Sequence, residues 1–373
     1  VNIKGIAIIR ARNAHHQSAL NLFSSKIQTH LRKPSAMLFE KKQHPAADSA
    51  PESAPHATPP LSASRSPTAA LNTMMQRAGE IILGKDQQIR LAMACILARG
   101  HLLIEDVPGV GKTTLSHVLA SLLGLHYQRI QFTSDLLPAD IVGVSIFDRD
   151  SSSFRFHPGP VFSQVILADE INRASPKAQS ALLEAMEEHQ VTADGETMPL
   201  PEPFFVIATQ NPSHQIGTFP LPESQLDRFL MRIKLGYPDK VAERALLQGI
   251  DRRDLIASIT PAMKVDELIH LQKVVSQVFV SDALVDYVLA LISYTRDSAR
   301  YEMGLSPRAG LALLRAAQAW ALMSGRNQVL PEDVQAIAPS VVGHRLRPAS
   351  SLASGEGKVL DAAQDLMKNV AIP

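Results

Sequence analysis

Cysteine is almost absent: Cys95 is the only one in 373 residues. No intramolecular disulfide and no thiolate zinc site can form, which excludes a disulfide-stapled secreted scaffold and a zinc finger. Long apolar runs are missing too; none approaches the ~18 residues that a membrane span needs. Neither charge sign dominates, with 37 basic against 36 acidic side chains, so bulk charge does not make the chain a polyanion binder. No repeat with a period of roughly 20–50 residues is visible. What is present, 45% hydrophobic and 20% charged residues, is ample for a globular core, and the length suits two domains.

The even charge balance conceals an uneven distribution. Residues 1–73 hold 9 Lys/Arg and 3 Asp/Glu, whereas the remaining 300 hold 28 and 33. Within residues 34–70, 22 of 37 positions are Pro, Ser or Ala, and Phe39 is the sole aromatic. Such a stretch buries too little apolar area to offset its ordering entropy, so residues 1–73 are expected to form a disordered, basic extension. The first 33 residues carry six Lys/Arg and no acid. They read as an extension upstream of a start at Met37 or Met74, or as a segment resembling an organellar transit sequence; Gly5–Ile9 is too short for a secretory core. The histidines His15, His16, His30, His44 and His56 show no metal-ligand spacing.

From residue 74 the texture is α/β. Met74–Arg99 is apolar at helical spacing and broken at Gly84, which predicts two helices around a turn. Short apolar runs follow at His101–Glu105, Tyr127–Phe132, Gln164–Asp169, Phe204–Thr209 and Phe229–Leu235, separated by helical stretches. That alternation predicts a mostly parallel five-stranded sheet covered on both faces. Beyond Tyr237-Pro238 four or five helices are expected, among them Val241–Ile250, Val265–Val278, Ser281–Arg300, Arg308–Ser324 and Pro331–Ile337. The predicted organisation is an α/β domain over 74–236, a helical domain over 237–345 and a tail over 346–373. Cys95, inside an apolar helix, is expected in the core.

The chemistry begins where the first strand ends. Glu105-Asp106-Val107-Pro108-Gly109-Val110-Gly111-Lys112-Thr113-Thr114 leads directly into the helix Leu115–Leu123. A glycine-rich turn lets backbone N–H groups converge on a polyphosphate, and the helix N-terminus adds its dipole. Pro108, Gly109, Val110, Gly111, Lys112, Thr113 and Thr114 are the candidate nucleotide-binding residues. Lys112 is placed to reach the outer phosphates and the Thr113 hydroxyl to ligate Mg2+. Asp106 stands where the general pattern has its first glycine. A second run, Gln164-Val165-Ile166-Leu167-Ala168-Asp169-Glu170, ends in two carboxylates at a strand's carboxyl end, where open α/β sheets bind ligands. Asp169 is the candidate to hold Mg2+, directly or through water. Glu170 is the candidate to orient and deprotonate the attacking water.

These motifs, with Gly100-His101-Leu102-Leu103-Ile104 before the turn, Asp169-Glu170-Ile171-Asn172-Arg173-Ala174, Ala208-Thr209-Gln210-Asn211-Pro212, Gly217-Thr218-Phe219-Pro220-Leu221-Pro222-Glu223 and Gln225-Leu226-Asp227-Arg228-Phe229, resemble the MoxR family of AAA+ ATPases over roughly residues 75–345. Asp106 is typical of that family. The resemblance implies an AAA+ P-loop domain followed by a small helical lid, and ATP and Mg2+ as cofactors. It implies that Asn211 is a sensor-1 residue that helps place the attacking water. Arg228 then matches the arginine finger that reaches a neighbouring subunit's nucleotide, and Arg308, in Leu305-Ser306-Pro307-Arg308-Ala309, matches the sensor-2 residue that ties the lid to the nucleotide. Ile82-Leu83-Gly84-Lys85 resembles the edge of the adenine pocket, or is a plain interhelical turn. Residues 187–203 read as a surface hairpin turning at Asp194-Gly195, and in this branch an insert there faces the ring's pore. His157, beside Pro158-Gly159-Pro160, reads as a loop histidine.

The resemblance further implies a cytoplasmic homo-oligomer, expected to be a hexamer, that acts as a chaperone-like remodeller of protein complexes. Its partners would be a protein client or a protein carrying a von Willebrand factor A domain, with no specific nucleic acid. Two other classes share the core chemistry. A nucleic-acid motor would be expected to append a DNA-reading module, against which stand the net acidity of residues 74–373 and the ~30 residues left beyond the helical region. A monomeric P-loop switch would need neither Arg228 nor a lid.

Overall fold

Two elements before the sheet carry out the helical periodicity of Met74–Arg99. In the computed structural model, which describes residues 67–211, 217–249, 252–347, 349 and 361–372, these are α1 (Pro67–Ile81) and α2 (Asp86–Leu97). The basic extension up to residue 66, with its histidines, and Pro212 lie outside the described residues. Helix α1 begins seven residues earlier than the sequence boundary at Met74. Proline suits a first helical turn and alanine is the best helix former, so Pro67, Ala69 and Ala70 serve a helix although a composition count assigns them to a tail. Ala70 and Leu71 are 2% and 0% exposed.

The chain then runs β1 (Leu102–Glu105), α3 (Lys112–Leu122), β2 (Tyr127–Gln131), the short α4 (Pro138–Val142), a hairpin of β3 (Gly143–Asp148) and β4 (Ser153–Pro158), β5 (Val165–Asp169) and α5 (Pro176–Glu188). A second hairpin, β6 (Gln190–Ala193) with β7 (Glu196–Pro199), precedes β8 (Phe205–Gln210), the short α6 (Glu223–Leu226) and β9 (Met231–Ile233). Five strands form one sheet in the order β2-β5-β8-β1-β9, every neighbouring pair parallel. The register sets Leu102 against Ile207 and Met231, and Ile166 against Val206.

Alternation along the strands assigns the two faces. Leu102, Ile104, Val165, Leu167, Phe205 and Ile207 join the core shared with α1, α2 and α3, whereas Leu103, Ile166, Ala168, Val206 and Ala208 join the core over α5. Both faces are covered, which is why these strands read as unbroken apolar runs. Cys95 is fully buried in the first core.

After β9 the strands of the sheet end. Helices α7 (Lys240–Gln248), α8 (Arg252–Ala257), α9 (Val265–Val275), α10 (Asp282–Asp297), α11 (Pro307–Met323) and α12 (Pro331–Val342) make the helical lid. Their starts are legible: Asp239, Ser281 and Ser306 each accept a backbone N–H of the first turn. The short α8 was not anticipated. Nor was α13 (Ala362–Asn369) in the segment read as a tail, because eight residues are too few to display a helical period. Helix α13 buries Ala363 and Leu366, and its Asp365 accepts hydrogen bonds from the hydroxyls of Tyr294 at 3.1 Å and Tyr301 at 2.7 Å.

Leu71 tests the early start of α1. Leu71→Ala should lower unfolding free energy by about 2–5 kcal/mol, the usual cost of emptying a fully buried leucine site, measured by urea denaturation. A change within about 0.5 kcal/mol, the range of an exposed position, would contradict its place in the core.

Candidate nucleotide site and the arginine cluster behind it

All five parallel strands point their carboxyl ends the same way, and the turns leaving β1, β5 and β8 meet there. After β1 the turn needs left-handed backbone at Gly109 (φ 84°) and Gly111 (φ 96°), and a Cβ at either would point into open space. Gly111 caps α3 without a side-chain bond, so the first-turn N–H groups of that helix are left to an incoming anion. Asp106 has a structural explanation. Its carboxylate accepts the Val107 N–H at 2.8 Å and the Gly236 N–H at 2.6 Å, while its own N–H donates to Gln210 O at 3.2 Å. A glycine there would lose the link between the turn and the segment that leaves β9.

Lys112 is 8% exposed. Its ammonium donates to two uncharged oxygens, the Asp106 carbonyl at 2.6 Å and Asn211 Oδ1 at 2.9 Å, and forms no ion pair among the described residues. Burial lowers its pKa from the ordinary lysine value, while the negative charges of Asp106, Asp169 and Glu170 act in the opposite direction. Pro108, Gly109 and Thr113 are exposed at the mouth of the turn; Val110 and Thr114 are half-buried.

The two carboxylates at the end of β5 are held differently. Asp169 accepts the Thr209 hydroxyl at 2.6 Å on one oxygen and the Arg129 guanidinium at 2.6 and 3.1 Å on the other. Glu170 sits in left-handed backbone (φ 57°), and its N–H donates to Thr209 Oγ1 at 2.9 Å. Its carboxylate accepts Asn211 Nδ2 at 3.0 Å and Gln131 Nε2 at 3.2 Å and pairs with Arg173 at 3.0 Å. Asn211, 3% exposed, thus bridges the Lys112 ammonium and the Glu170 carboxylate with the two ends of one amide. Lys112, Asp169, Glu170 and Asn211 lie together at this end of the sheet. Arg129, Gln131 and Thr209 were missed. The first two are alternate residues of one edge strand, and no motif marks them apart from ordinary solvated positions.

Arg228 and Arg308 are elsewhere. They lie at the opposite end of β1, beside Gly100 and His101, around a cavity of about 320 Å³. The four residues of β1 alone separate that end from the phosphate turn, roughly 13 Å at ~3.3 Å per residue. Arg308 therefore stands away from the phosphate turn of its own chain. Its guanidinium instead pairs with Glu187, at the end of α5, and Arg228 Nε lies 3.7 Å from the other oxygen of the same carboxylate. Arg228 also donates to the Leu183 carbonyl.

His101 braces this end. It bonds Met186 O at 3.2 Å and accepts the Val206 N–H at 3.0 Å, which requires the neutral ring with the proton on Nε2. Arg345, 5% exposed in its side chain, joins lid to sheet by pairing with Asp227 at 2.6 Å and donating to the carbonyls of Phe229 and Leu230.

The remaining sequence candidates lie apart from both clusters. The Ile82–Lys85 turn abuts the linker after β9, where Lys85 donates to Tyr237 O at 2.8 Å. Residues 190–199 form the expected hairpin, with positive φ at Asp194 and Gly195. His157 stands on β4 of the other, unanticipated hairpin rather than in a loop.

Two family models match the chain: the ATPase family associated with various cellular activities (AAA) over residues 101–231, and the AAA lid domain over residues 293–367. YeaC of Bacillus subtilis is 43% identical over 305 residues, spanning 81% of this chain and 95% of that protein. A protein named Chaperone MoxR1, from Mycobacterium tuberculosis, is 42% identical, with 71% of this chain and 72% of that protein aligned. A solved structure from Cytophaga hutchinsonii superposes with a TM-score of 0.76 at 35% identity, over 82% of this chain and 96% of the other.

Burial lowers the His101 pKa from 6.5 to about 4. As pH falls the unfolded chain therefore takes up a proton before the folded one does. The stabilisation is complete above pH 6.5 and is lost as pH falls toward about 4, on the order of 2–3 kcal/mol. Urea midpoints should fall across that window in the wild type and fall less steeply in His101→Gln. Parallel slopes would contradict the buried neutral ring.

Proposed function

The chain belongs to the MoxR family of AAA+ ATPases, and on that premise we propose that it hydrolyses ATP with Mg2+ in a homo-oligomeric ring, expected to be a hexamer, and uses the turnover to remodel or activate protein complexes. The observation that carries the reading is the continuous Lys112–Asn211–Glu170 hydrogen-bonded line, which joins the phosphate turn to the candidate base. The open backbone at Gly109 and Gly111, with a buried ammonium that has no carboxylate partner among the described residues, fits a polyphosphate.

In this reading the N–H groups of Pro108–Thr114, proline excepted, bind the phosphates, and Lys112 takes the outermost ones. Thr113 and Asp169 hold Mg2+. Bound Mg2+–ATP supplies an electrophilic phosphorus and a stabilised diphosphate leaving group. Glu170 accepts a proton from the attacking water, and Asn211 orients that water while setting the Glu170 carboxylate. Arg228 and Arg308, too far from their own turn, serve the nucleotide of a neighbouring subunit. The α/β part, taken back to Pro67, carries the site; the helices after residue 237 carry Arg308 and report on the neighbour. The partner is a protein client or a protein with a von Willebrand factor A domain.

Glu170→Gln should keep ATP affinity and slow hydrolysis by about 10²–10⁴-fold, the usual weight of a general base, whereas Lys112→Ala should abolish nucleotide binding. Wild-type turnover in Glu170→Gln would remove Glu170 as the base. A Glu170→Gln chain loaded with ATP, used as bait, should retain a protein partner; recovery of nucleic acid instead would favour a nucleic-acid motor.

Mixing experiments address the neighbour. Arg228→Ala subunits should bind ATP but hydrolyse it poorly, and adding Lys112→Ala subunits, which still offer Arg228, should restore turnover. No recovery in assemblies shown to be mixed, or full activity in a dilute monomer, would overturn the ring reading.

A further inference from the structure

We propose that Glu187 is a positioning residue that sets Arg228 and Arg308 side by side for delivery to the neighbouring subunit; this rests on the reading that both arginines act on that neighbour. One carboxylate oxygen holds the lid's Arg308 and the other faces Arg228 of the α/β core. A single side chain therefore fixes the relation between two cations that come from different parts of the chain, 80 residues apart by number.

The placement runs against local helix stability. Glu187 lies in the last turn of α5, which contains no basic residue, and a carboxylate there meets the negative end of the helix dipole. Arg308 lies in the first turn of α11, which contains no acid, and a cation there meets the positive end. Each charge is unfavourable for its own helix, so neither is explained as a helix-stabilising residue. They are reconciled only by each other and by Arg228.

No other carboxylate among the described residues serves this purpose. Asp227, on the same cavity, is engaged by Arg345 and by the Ser306 hydroxyl. Arg99 and Arg315 also line the cavity, so without Glu187 only Arg345 of its five guanidiniums would keep a carboxylate partner among the described residues. Arg228 and Arg308 would then repel each other and splay. Side-chain exposures of 31% for Glu187 and Arg228 and 46% for Arg308 leave the clasp open to an approaching partner. Its base is rigid, because His101 fixes the carbonyl of Met186, the residue before Glu187.

The test needs no catalysis to begin. In nucleotide-free protein, phenylglyoxal should modify Arg228 and Arg308 several-fold faster in Glu187→Gln than in wild type. Arg326, paired with Asp333 in the lid, should not change. In steady state Glu187→Gln should reduce kcat by about 10–100-fold, the scale of a small misplacement of a catalytic group, with KM and ATP affinity unchanged. Glu187→Asp, which keeps the charge, should recover part of the loss. Adding Lys112→Ala subunits should restore turnover at Glu187→Gln sites, as it should for Arg228→Ala.

Unchanged labelling, wild-type kcat or weakened ATP affinity in Glu187→Gln would overturn the proposal. If Arg228→Ala is rescued by mixing and Glu187→Gln shows no defect, only Glu187 is wrong. If Arg228→Ala is not rescued, the neighbour reading fails and this proposal fails with it.

Discussion

A buried ammonium held only by uncharged oxygens is the constraint around which the nucleotide site is organised. Lys112 cannot be solvated by bulk water and lacks a carboxylate at ion-pair distance among the described residues, so its two hydrogen bonds must be supplied by fixed groups. One comes from the carbonyl of Asp106, whose position depends on its own side chain gripping Gly236. The other comes from Asn211, whose remaining amide end grips Glu170. Moving any of these shifts the others, because direct hydrogen bonds join them in series.

That line also explains how core and lid are coupled. Asp106 reaches the segment leaving β9, and Lys85 holds the carbonyl of Tyr237 just beyond it. Farther along, Arg232 of β9 pairs with Glu105 at the end of β1 and donates to the Gly343 carbonyl in the lid. Arg345 adds a nearly buried guanidinium that satisfies the carbonyls at the start of β9. The lid is thus anchored to both ends of one short edge strand. Charged, directional contacts of this kind set an orientation more sharply than apolar packing does.

The parallel sheet creates two chemically distinct ends. At its exit the turns are short and offer N–H groups and acids. At its entry the end of α5 presents the Glu187 carboxylate, and the start of α11 and the segment before β9 present the guanidiniums of Arg308 and Arg228. One end suits a polyphosphate, the other suits delivery of positive charge outward, and β1 connects them rigidly. The apolar β3–β4 hairpin, with Ile146, Phe147 and Phe154 exposed, and the β6–β7 hairpin lie outside this axis.

Much of this was legible in the chain. Apolar runs of five to seven residues separated by helical stretches are enough to specify a covered parallel sheet, and Gly109-Val110-Gly111-Lys112 and Asp169-Glu170 must follow strands for their chemistry to work. Local signals of that kind depend on neighbours in sequence. They fell short where burial was settled at a distance: Leu71 of α1 finds a core, and the short α13 buries Ala363 and Leu366 while its Asp365 meets Tyr294 and Tyr301. The sequence likewise marks Arg228 and Arg308 as special, but not where they gather. Their meeting at Glu187 needed α5 to run back along the sheet and α11 to fold against its entry end, and a carboxylate opposed to its own helix dipole has no local signature. Residue type and spacing determined what chemistry the chain holds; the tertiary fold decided which charges share a site, because electrostatic partnership depends on distance in space and not on separation along the chain.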